Sequence, residues 1–313
     1  MVPRAVLCLG EIVIDLIGEP PGPIEATASF APRVGGAPAN VAVGLTRLGV
    51  AARFVGAVAD DAFAGLALRR LATEGVDVDG VVPAHGAQTR LGVVVGEPGS
   101  RGFTFYGYPP ADRLLAPGNA RDAVSRGLAA VYLGSLPLTG EPSRSALRAA
   151  AEAATALDVP ICFDPNPRGP QFARGEPARA ALVEVARQST VLKLSRQDLA
   201  ILGVDRDGVP ALAPDARIVV VTDGDRGCEF RVNGAWEFVP PAVVRSRDEV
   251  GAGDAFMAAL IARGVASGFD YTRDDVAFAA AAGALATTVT GAMDAMPTRD
   301  AVERLLAATG QPA

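Results

Sequence analysis

A glycine-rich segment followed by a carboxylate is the strongest chemical signal in the sequence. It reads Asp248-Glu-Val-Gly-Ala-Gly-Asp254 and opens an apolar helix. Gly251 and Gly253 permit a tight turn, so backbone N–H groups at the helix start face outward and create an anion site. Such a site beside Asp254 suits phosphoryl transfer, in which amides hold the developing charge and a carboxylate takes the proton of the attacking hydroxyl. An ordinary helix start with a capping aspartate is the alternative.

A second glycine turn leads into the first predicted helix. It reads Val34-Gly-Gly-Ala-Pro-Ala-Asn40. The Asn40 side chain both donates and accepts hydrogen bonds, which suits sugar hydroxyls. A plain strand-to-helix turn explains the same residues.

Polar residues also follow three predicted strands, where ligands bind in parallel α/β folds. These segments are Cys162–Arg168, Lys193–Asp198 and Thr222–Gly227. Arg168 suits clamping of an anion or a hydroxyl pair. Ser195 and Asp198 have the spacing of a capping box, which by itself explains both.

Composition excludes several other classes of protein. The 313 residues carry 29 basic and 35 acidic side chains, a net charge of −6, which disfavours nucleic acid as a partner. The single histidine, His85, excludes a zinc site that needs two imidazoles. Lys193 is the only lysine and is not part of a P-loop. The three cysteines lie far apart in apolar runs, so we expect reduced core thiols in a cytoplasmic protein without a targeting or membrane-spanning segment.

Strand-like and helix-like segments alternate along the chain. The apolar runs predicted as buried parallel strands are Ala5–Ile14, Ala129–Leu133, Pro160–Phe163, Val191–Leu194 and Arg217–Val221. The predicted helices are Pro38–Leu48, Ala62–Glu74, Pro142–Leu157, Ala178–Arg187, Gln197–Leu202, Ala252–Ser267, Arg273–Thr288 and Arg299–Ala308. This alternation predicts an α/β fold with a doubly wound, mainly parallel sheet flanked by helices.

Two stretches, 16–36 and 88–108, interrupt the alternation. Thr89–Gly96 and Gly102–Tyr106 flank Glu97–Arg101, which predicts a β-hairpin with Pro and Gly in its turn. We expect the two stretches to form a small β-sheet lid over the carboxyl ends of the main strands.

The combination of these motifs resembles the ribokinase-like (PfkB) sugar kinase family over nearly the whole chain. Gly35-Gly36…Asn40 is similar to its N-terminal signature and Asp248–Asp254 to its C-terminal signature. Within the family the chain resembles fructokinases most. The segments that support this are Cys8–Asp15, Pro110–Leu115, Gly134–Arg144 and Asp164–Arg168.

The resemblance implies one kinase domain over residues 1–313 and a role for each matching residue. Asp254 is implied as the catalytic base, with Gly251, Ala252 and Gly253 as the anion hole. The implied sugar-binding residues are Asp15, Gly35, Gly36, Asn40 and Arg168. The implied nucleotide-binding residues are Lys193, Ser195, Asp198, Thr222, Gly224 and Gly227. The implied monovalent cation site uses mostly backbone oxygens of Asp248, Val250, Ala286, Val289, Gly291 and Ala295.

The implied reaction uses ATP and Mg²⁺, with K⁺ as a candidate activator, and transfers the γ-phosphoryl group to the 6-hydroxyl of fructose. A 2-keto-3-deoxygluconate, ribose or nucleoside kinase is the alternative within the family, and a non-catalytic sensor is the alternative outside it. The implied partners are sugar and ATP, with neither nucleic acid nor membrane, and a homodimer through the lid is a further candidate. Some residues depart from the family pattern. Glu249 stands where Thr is usual, and Gly107 stands where fructokinases often have Arg. Ser195 and Asp198 replace the commoner Asn and Glu.

Overall fold

Strands and helices alternate through most of the chain in the computed structural model, which describes residues 4–96, 102–167, 172 and 176–309. In chain order the strands are β1 Val6–Leu9, β2 Val13–Glu19, β3 Ser29–Gly35, β4 Ala52–Val55, β5 Ala57–Val58, β6 Val82–Pro83, β7 Arg90–Val95, β8 Gly102–Tyr106, β9 Ala130–Leu133, β10 Ile161–Phe163, β11 Val191–Ser195, β12 Ile218–Thr222, β13 Cys228–Val232 and β14 Ala235–Val239. The helices are α1 Ala37–Arg47, α2 Ala62–Thr73, α3 Pro117–Ala123, α4 Ser143–Ala156, α5 Pro177–Arg187, α6 Arg196–Leu202, α7 Val209–Leu212, α8 Ala252–Ser267, α9 Arg273–Ala286 and α10 Arg299–Thr309.

The central sheet has eight strands in the order β14-β13-β12-β11-β10-β9-β1-β4. The pairs from β4 to β12 are parallel, and β13 and β14 add an antiparallel hairpin at one edge. Its strands β1, β9 and β10 are buried along their whole length, as expected when helices cover both faces. The predicted doubly wound fold is therefore confirmed.

A second sheet forms from the two stretches that interrupt the alternation. Its order is β3-β2-β7-β8, and we call these four strands the small sheet. The β2–β3 and β7–β8 pairs are antiparallel, whereas β2 and β7 run parallel. The predicted turn at 97–101 lies outside the described residues.

The prediction of one strand over Ala5–Ile14 is wrong, because the segment contains two strands of different sheets. β1 ends in the central sheet at Leu9, and β2 starts in the small sheet at Val13. A Cβ atom on Gly10 would lie 2.6 Å from Cγ of Pro38, so only glycine fits where the chain leaves the central sheet. This exit places the small sheet at the carboxyl edge of the parallel strands.

The helices α1 and α8 pack against each other at unusually short range. A Cβ atom on Gly44 of α1 would lie only 2.6 Å from Cβ of Ala258 in α8. Small residues at this crossing let the backbones approach, which brings the N-terminal ends of both helices to the same region. Within the described ranges, no helix is long and apolar enough to cross a membrane, and all three cysteines are free and buried.

A buried ion pair joins the small sheet to the rest of the chain. Arg90, the first residue of β7, donates from Nε and Nη2 to the two carboxylate oxygens of Asp112 at 2.9 and 2.8 Å. Both side chains are at most 8% exposed. The Ser143 hydroxyl donates to the Asp112 carbonyl at 2.8 Å and accepts from the Leu115 amide at 2.9 Å, so the loop that carries Asp112 is itself fixed.

Asp112→Ala is expected to lower the free energy of unfolding by about 3–5 kcal/mol, because it leaves the Arg90 charge buried without its partner. Glu184→Ala is the matched control, since Glu184 pairs with Arg148 at 2.7 Å but both side chains are nearly half exposed; its expected cost is about 0–1 kcal/mol. Denaturant titration of both variants measures the difference. Equal costs would contradict a structural role for the Arg90–Asp112 pair.

Candidate active site

The start of α8 has the geometry of an anion site. Gly251, the residue before the helix, has φ of +87°, and a Cβ atom there would lie 2.7 Å from Cα of Ala292. Glycine is thus required both for the turn and for contact with the loop after α9. Ala252 and Gly253 begin the helix, and Asp254 follows in its first turn with only 9% exposure.

Asp254 is tied to the opposite end of the sequence by a hydrogen bond. Asn40 Nδ2, in the first turn of α1, donates to Asp254 Oδ2 at 2.7 Å. Asn40 is buried, and its Oδ1 has no hydrogen-bond partner within the described part of the chain. The turn before α1 needs glycine at 36, because φ is +101° and a Cβ atom would lie 2.7 Å from the Glu11 carbonyl oxygen.

Asp15 lies in β2 between two glycines of neighbouring strands. A Cβ atom on Gly35 would lie 2.6 Å from its Oδ2, and one on Gly92 would lie 2.6 Å from its Oδ1. A larger residue at position 35 in β3 or at position 92 in β7 would therefore collide with the Asp15 carboxylate. Phe105 of β8 pairs with Gly92, and its ring edge would lie 3.5 Å from the same Cβ position, so an aromatic side chain borders the Asp15 recess.

A buried ion pair lies beside the anion site. Lys193 Nζ donates to Asp164 Oδ2 at 2.5 Å, and both side chains are at most 5% exposed. Burial lowers the pKa of Lys193, but Asp164 and Asp198 outweigh it and raise that pKa above its ordinary value. A Cβ atom on Gly253 would lie 3.2 Å from Nζ, so the only lysine places its positive charge next to the first turn of α8.

The predicted nucleotide-binding residues form a continuous edge at the ends of β11 and β12. Ser195 pairs with Thr222 across these strands, and Gly224 and Gly227 lie in the following turn with φ of +58° and +91°. The capping box is confirmed: Asp198 N donates to Ser195 Oγ at 3.1 Å, and Ser195 N donates to Asp198 Oδ2 at 2.7 Å. Both side chains therefore already cap α6.

The residues predicted for a monovalent cation come from two loops that Asp248 holds together. Asp248 is buried, and its Oδ2 accepts from the Gly291 amide at 3.0 Å while Oδ1 accepts from the Val250 amide at 3.3 Å. Ala286 ends α9, and Val289 and Ala295 lie in the loop beyond it. Glu249 is exposed, so solvent screening weakens its influence on an ion.

Acidic side chains cluster around Asp254. Burial, with the nearby Asp254 charge, raises the pKa of Asp15 to about 7. Burial also raises the pKa of Glu11 to about 8; hydrogen bonds from backbone amides oppose the rise, and Asp112 and Asp254 add to it. An electrically neutral ligand with hydroxyl groups suits this region better than an anionic one.

Several site features were missed from the sequence. Asp164 belongs to a segment that the sequence singled out, but its pairing with Lys193 is a contact between separate strands. Gly92 is a lone glycine inside a strand, a signal of close backbone approach. Glu11 carried no signal beyond its place in an apolar run. Arg168, predicted to bind sugar, lies outside the described residues.

The start of α8 thus combines a carboxylate, a glycine turn and a neighbouring lysine. In the described ranges, no group of three or more His, Cys, Asp or Glu side chains has the arrangement of a metal site. This donor set fits a Mg²⁺ ion that arrives on nucleotide phosphates and keeps several waters, rather than one held in a protein cage.

Comparison with known proteins gives a consistent result. The family model described as pfkB family carbohydrate kinase matches residues 3–299. Fructokinase-1 of Zea mays is 36% identical, over 96% of this chain and 97% of the maize protein. The fructokinase of Xylella fastidiosa, solved with bound ATP, superposes with a TM-score of 0.89 at 30% identity, over 99% of this chain and all of that one.

A third relative carries further ligands. The fructokinase of Vibrio cholerae O395, solved with fructose, ADP and a calcium ion, has a TM-score of 0.83 at 29% identity, over 97% of this chain and 99% of that one. A double mutant of it was solved with fructose, ADP and a potassium ion.

Proposed function

The chain belongs to the pfkB family of carbohydrate kinases, and from that premise we propose that it transfers the γ-phosphoryl group of ATP to the 6-hydroxyl of fructose. The observation that carries this proposal is the position of Asp254. It lies in the first turn of α8, directly after the glycine turn that exposes backbone amides, and it is oriented by Asn40 at 2.7 Å. The fructokinase relatives support fructose as the acceptor.

The chemistry of each group follows from its position. The 6-hydroxyl oxygen attacks the γ-phosphorus, the bond from that phosphorus to the β–γ bridging oxygen breaks, and ADP leaves with the bond electrons. Asp254 takes the hydroxyl proton. The amides of Gly251, Ala252 and Gly253 and the Lys193 ammonium stabilise charge on the transferring group. Mg²⁺, when bound with ATP, offsets the charge of the phosphate oxygens.

The sugar site that we propose contains Asp15, Gly35, Gly36, Asn40 and Arg168. Asp15 accepts hydrogen bonds from sugar hydroxyls, and the two glycines beside it leave room for the ring. The acidic surroundings favour a neutral sugar over 2-keto-3-deoxygluconate, whose carboxylate needs a cation. Arg90, on the same sheet as Asp15, is already engaged by Asp112.

The nucleotide lies, in this proposal, along Lys193, Ser195, Asp198, Thr222, Gly224 and Gly227. Backbone with positive φ at the two glycines lets a ligand approach the main chain closely. We also propose that K⁺ binds between the loops joined by Asp248, to oxygens of Asp248, Val250, Ala286, Val289, Gly291 and Ala295. The contacts of Asp248 with both loops and the potassium-bound relative support this.

The small sheet acts in this proposal as a lid of a single kinase domain over residues 1–313. Exclusion of water by such a lid protects ATP from hydrolysis. Phe30 and Tyr106, on strands at opposite edges of the small sheet, are 40% and 57% exposed, which favours a homodimer through the lid. A cytoplasmic location also stays a prediction, supported by the free buried cysteines.

Asp254→Asn is expected to lower turnover by about 10²–10⁴-fold, because it keeps the shape of the side chain but removes proton acceptance. A coupled ADP-release assay over fructose, ribose, 2-keto-3-deoxygluconate and a nucleoside measures the activity and identifies the acceptor. Calorimetric titration with fructose is the control and should show nearly unchanged binding. A variant within a few-fold of wild type would remove Asp254 from the role of base.

Gly92→Ala is expected to raise the Michaelis constant for fructose on the order of tenfold or more, because the new methyl group displaces the Asp15 carboxylate that hydrogen-bonds the sugar. The constant for ATP should change little. Gly118→Ala is the matched control, since a Cβ atom on Gly118 meets nothing within 4 Å. If Gly92→Ala leaves the Michaelis constant for fructose unchanged, as Gly118→Ala should, Asp15 does not bind the sugar.

Replacing K⁺ by a bulky organic cation at constant ionic strength is expected to lower turnover, because the loops beside the anion site lose the ion between them. ATP and fructose are kept saturating, so that only the catalytic step responds. Asp248→Asn should weaken the response to K⁺, because it removes the carboxylate charge. A flat response of the wild-type enzyme would exclude cation activation.

A further inference from the structure

Glu11 is a nearly fully buried carboxyl group that the proposed reaction does not use. It lies between β1 and β2, at the junction of the central and small sheets, and is 5% exposed. Its Oε1 accepts a hydrogen bond at 3.3 Å from the backbone amide of Ala37, which is the first residue of α1. Within the described part of the chain, its Oε2 has no hydrogen-bond partner.

The surroundings of Glu11 leave its carboxyl group little room to move. A Cβ atom on Gly134, just after β9, would lie 2.6 Å from Oε2. The Glu11 carbonyl oxygen would lie 2.7 Å from a Cβ atom on Gly36. Glu11 therefore touches the ends of two central strands and the glycine turn that leads into α1.

The charges that face Glu11 are of its own sign. Asp112 approaches from the loop after β8, and Asp254 from α8. Tyr132 of β9 is fully buried, and burial raises its pKa well above the ordinary value, with Asp164, Asp254 and Glu11 adding to the rise. Among the described residues, Arg90 is paired with Asp112 and Lys193 with Asp164.

We propose that Glu11 is a positioning residue, which as a neutral carboxylic acid holds the turn at Gly35–Ala37 and so keeps Asn40 hydrogen-bonded to Asp254. The inference rests on the proposed function. Asn40 lies one helical turn beyond Ala37, so movement at the start of α1 changes the Asn40–Asp254 contact directly. Ionisation of Glu11 places an uncompensated charge at a packed position and forces such movement.

The sign of the pH dependence follows from the raised pKa of Glu11, which burial brings to about 8. The folded state keeps this proton where the unfolded state, with an ordinary carboxyl pKa of 4.5, has lost it. The stabilisation is therefore complete at low pH and is lost as the pH rises through about 8. We therefore expect turnover to decline as the pH rises through about 8.

The test compares Glu11→Gln with Glu11→Ala across pH 6–9. Glutamine reproduces the neutral carboxylic acid in shape and should retain most of the turnover at pH 7, and it cannot ionise, so its activity should not decline near pH 8. Alanine removes the contact with Ala37 and should lower turnover about tenfold or more at every pH, since small misplacements of reacting groups are costly. Glu184→Gln, an exposed glutamate, is the matched control and should follow the wild-type profile.

Thermal melting over the same pH range gives a readout that does not depend on activity. The melting temperature of the wild type should fall relative to that of Glu11→Gln as the pH rises; Asp15 titrates in both proteins and cancels in the comparison. If the wild type and Glu11→Gln show the same dependence on pH, in melting temperature and in activity, the proposal is overturned. It is also overturned if Glu11→Gln is as impaired at pH 7 as Glu11→Ala. If the wild type phosphorylates no sugar, the proposed function fails, and the melting comparison still decides whether Glu11 is held neutral.

Discussion

The hydrogen bond between Asn40 and Asp254 is the interaction on which the candidate site depends. It joins residues 214 positions apart at 2.7 Å, so it exists only if α1 and α8 start side by side. Their close packing, with Gly44 against Ala258, makes this possible, and the glycines at 36 and 251, both with positive φ, provide the turns that start the two helices. A larger residue at any of these positions separates the two signature motifs before it touches any ligand.

Electrostatics explains why the crevice suits one kind of chemistry. Burial raises the pKa values of Asp15 and Glu11, because charge is costly away from water, and the nearby Asp254 charge raises both further. Lys193 lies beside the first turn of α8, and in the reaction that we propose this is the side that the phosphates of ATP occupy. The acidic side chains are then left to the neutral sugar.

The small sheet is attached to this centre rather than independent of it. Its first strand follows β1 after three residues, and its third strand begins with Arg90, which the buried Asp112 holds. Asp15 is carried on this sheet, whereas Asp254 is carried by α8, which packs against α1 and α9. The sugar site that we propose is thus assembled from the small sheet and these helices, and its geometry depends on the turn at Gly10 and on the Arg90–Asp112 pair.

The sequence alone predicted the alternation of most strands and helices, the doubly wound class and the two glycine turns, because hydrophobic periodicity and the conformational freedom of glycine are local properties; it did not predict strand Ala52–Val55 or helix Pro117–Ala123. It also determined that Ser195 and Asp198 cap a helix, since a capping box spans one turn. Only the folded chain shows four further features: the break between β1 and β2, the pairing of Lys193 with Asp164, the Asp15 recess beside Gly92 and the burial of Glu11. Each is a contact between segments distant in the chain, set by how closely two backbones approach, and no local pattern of residues encodes that distance.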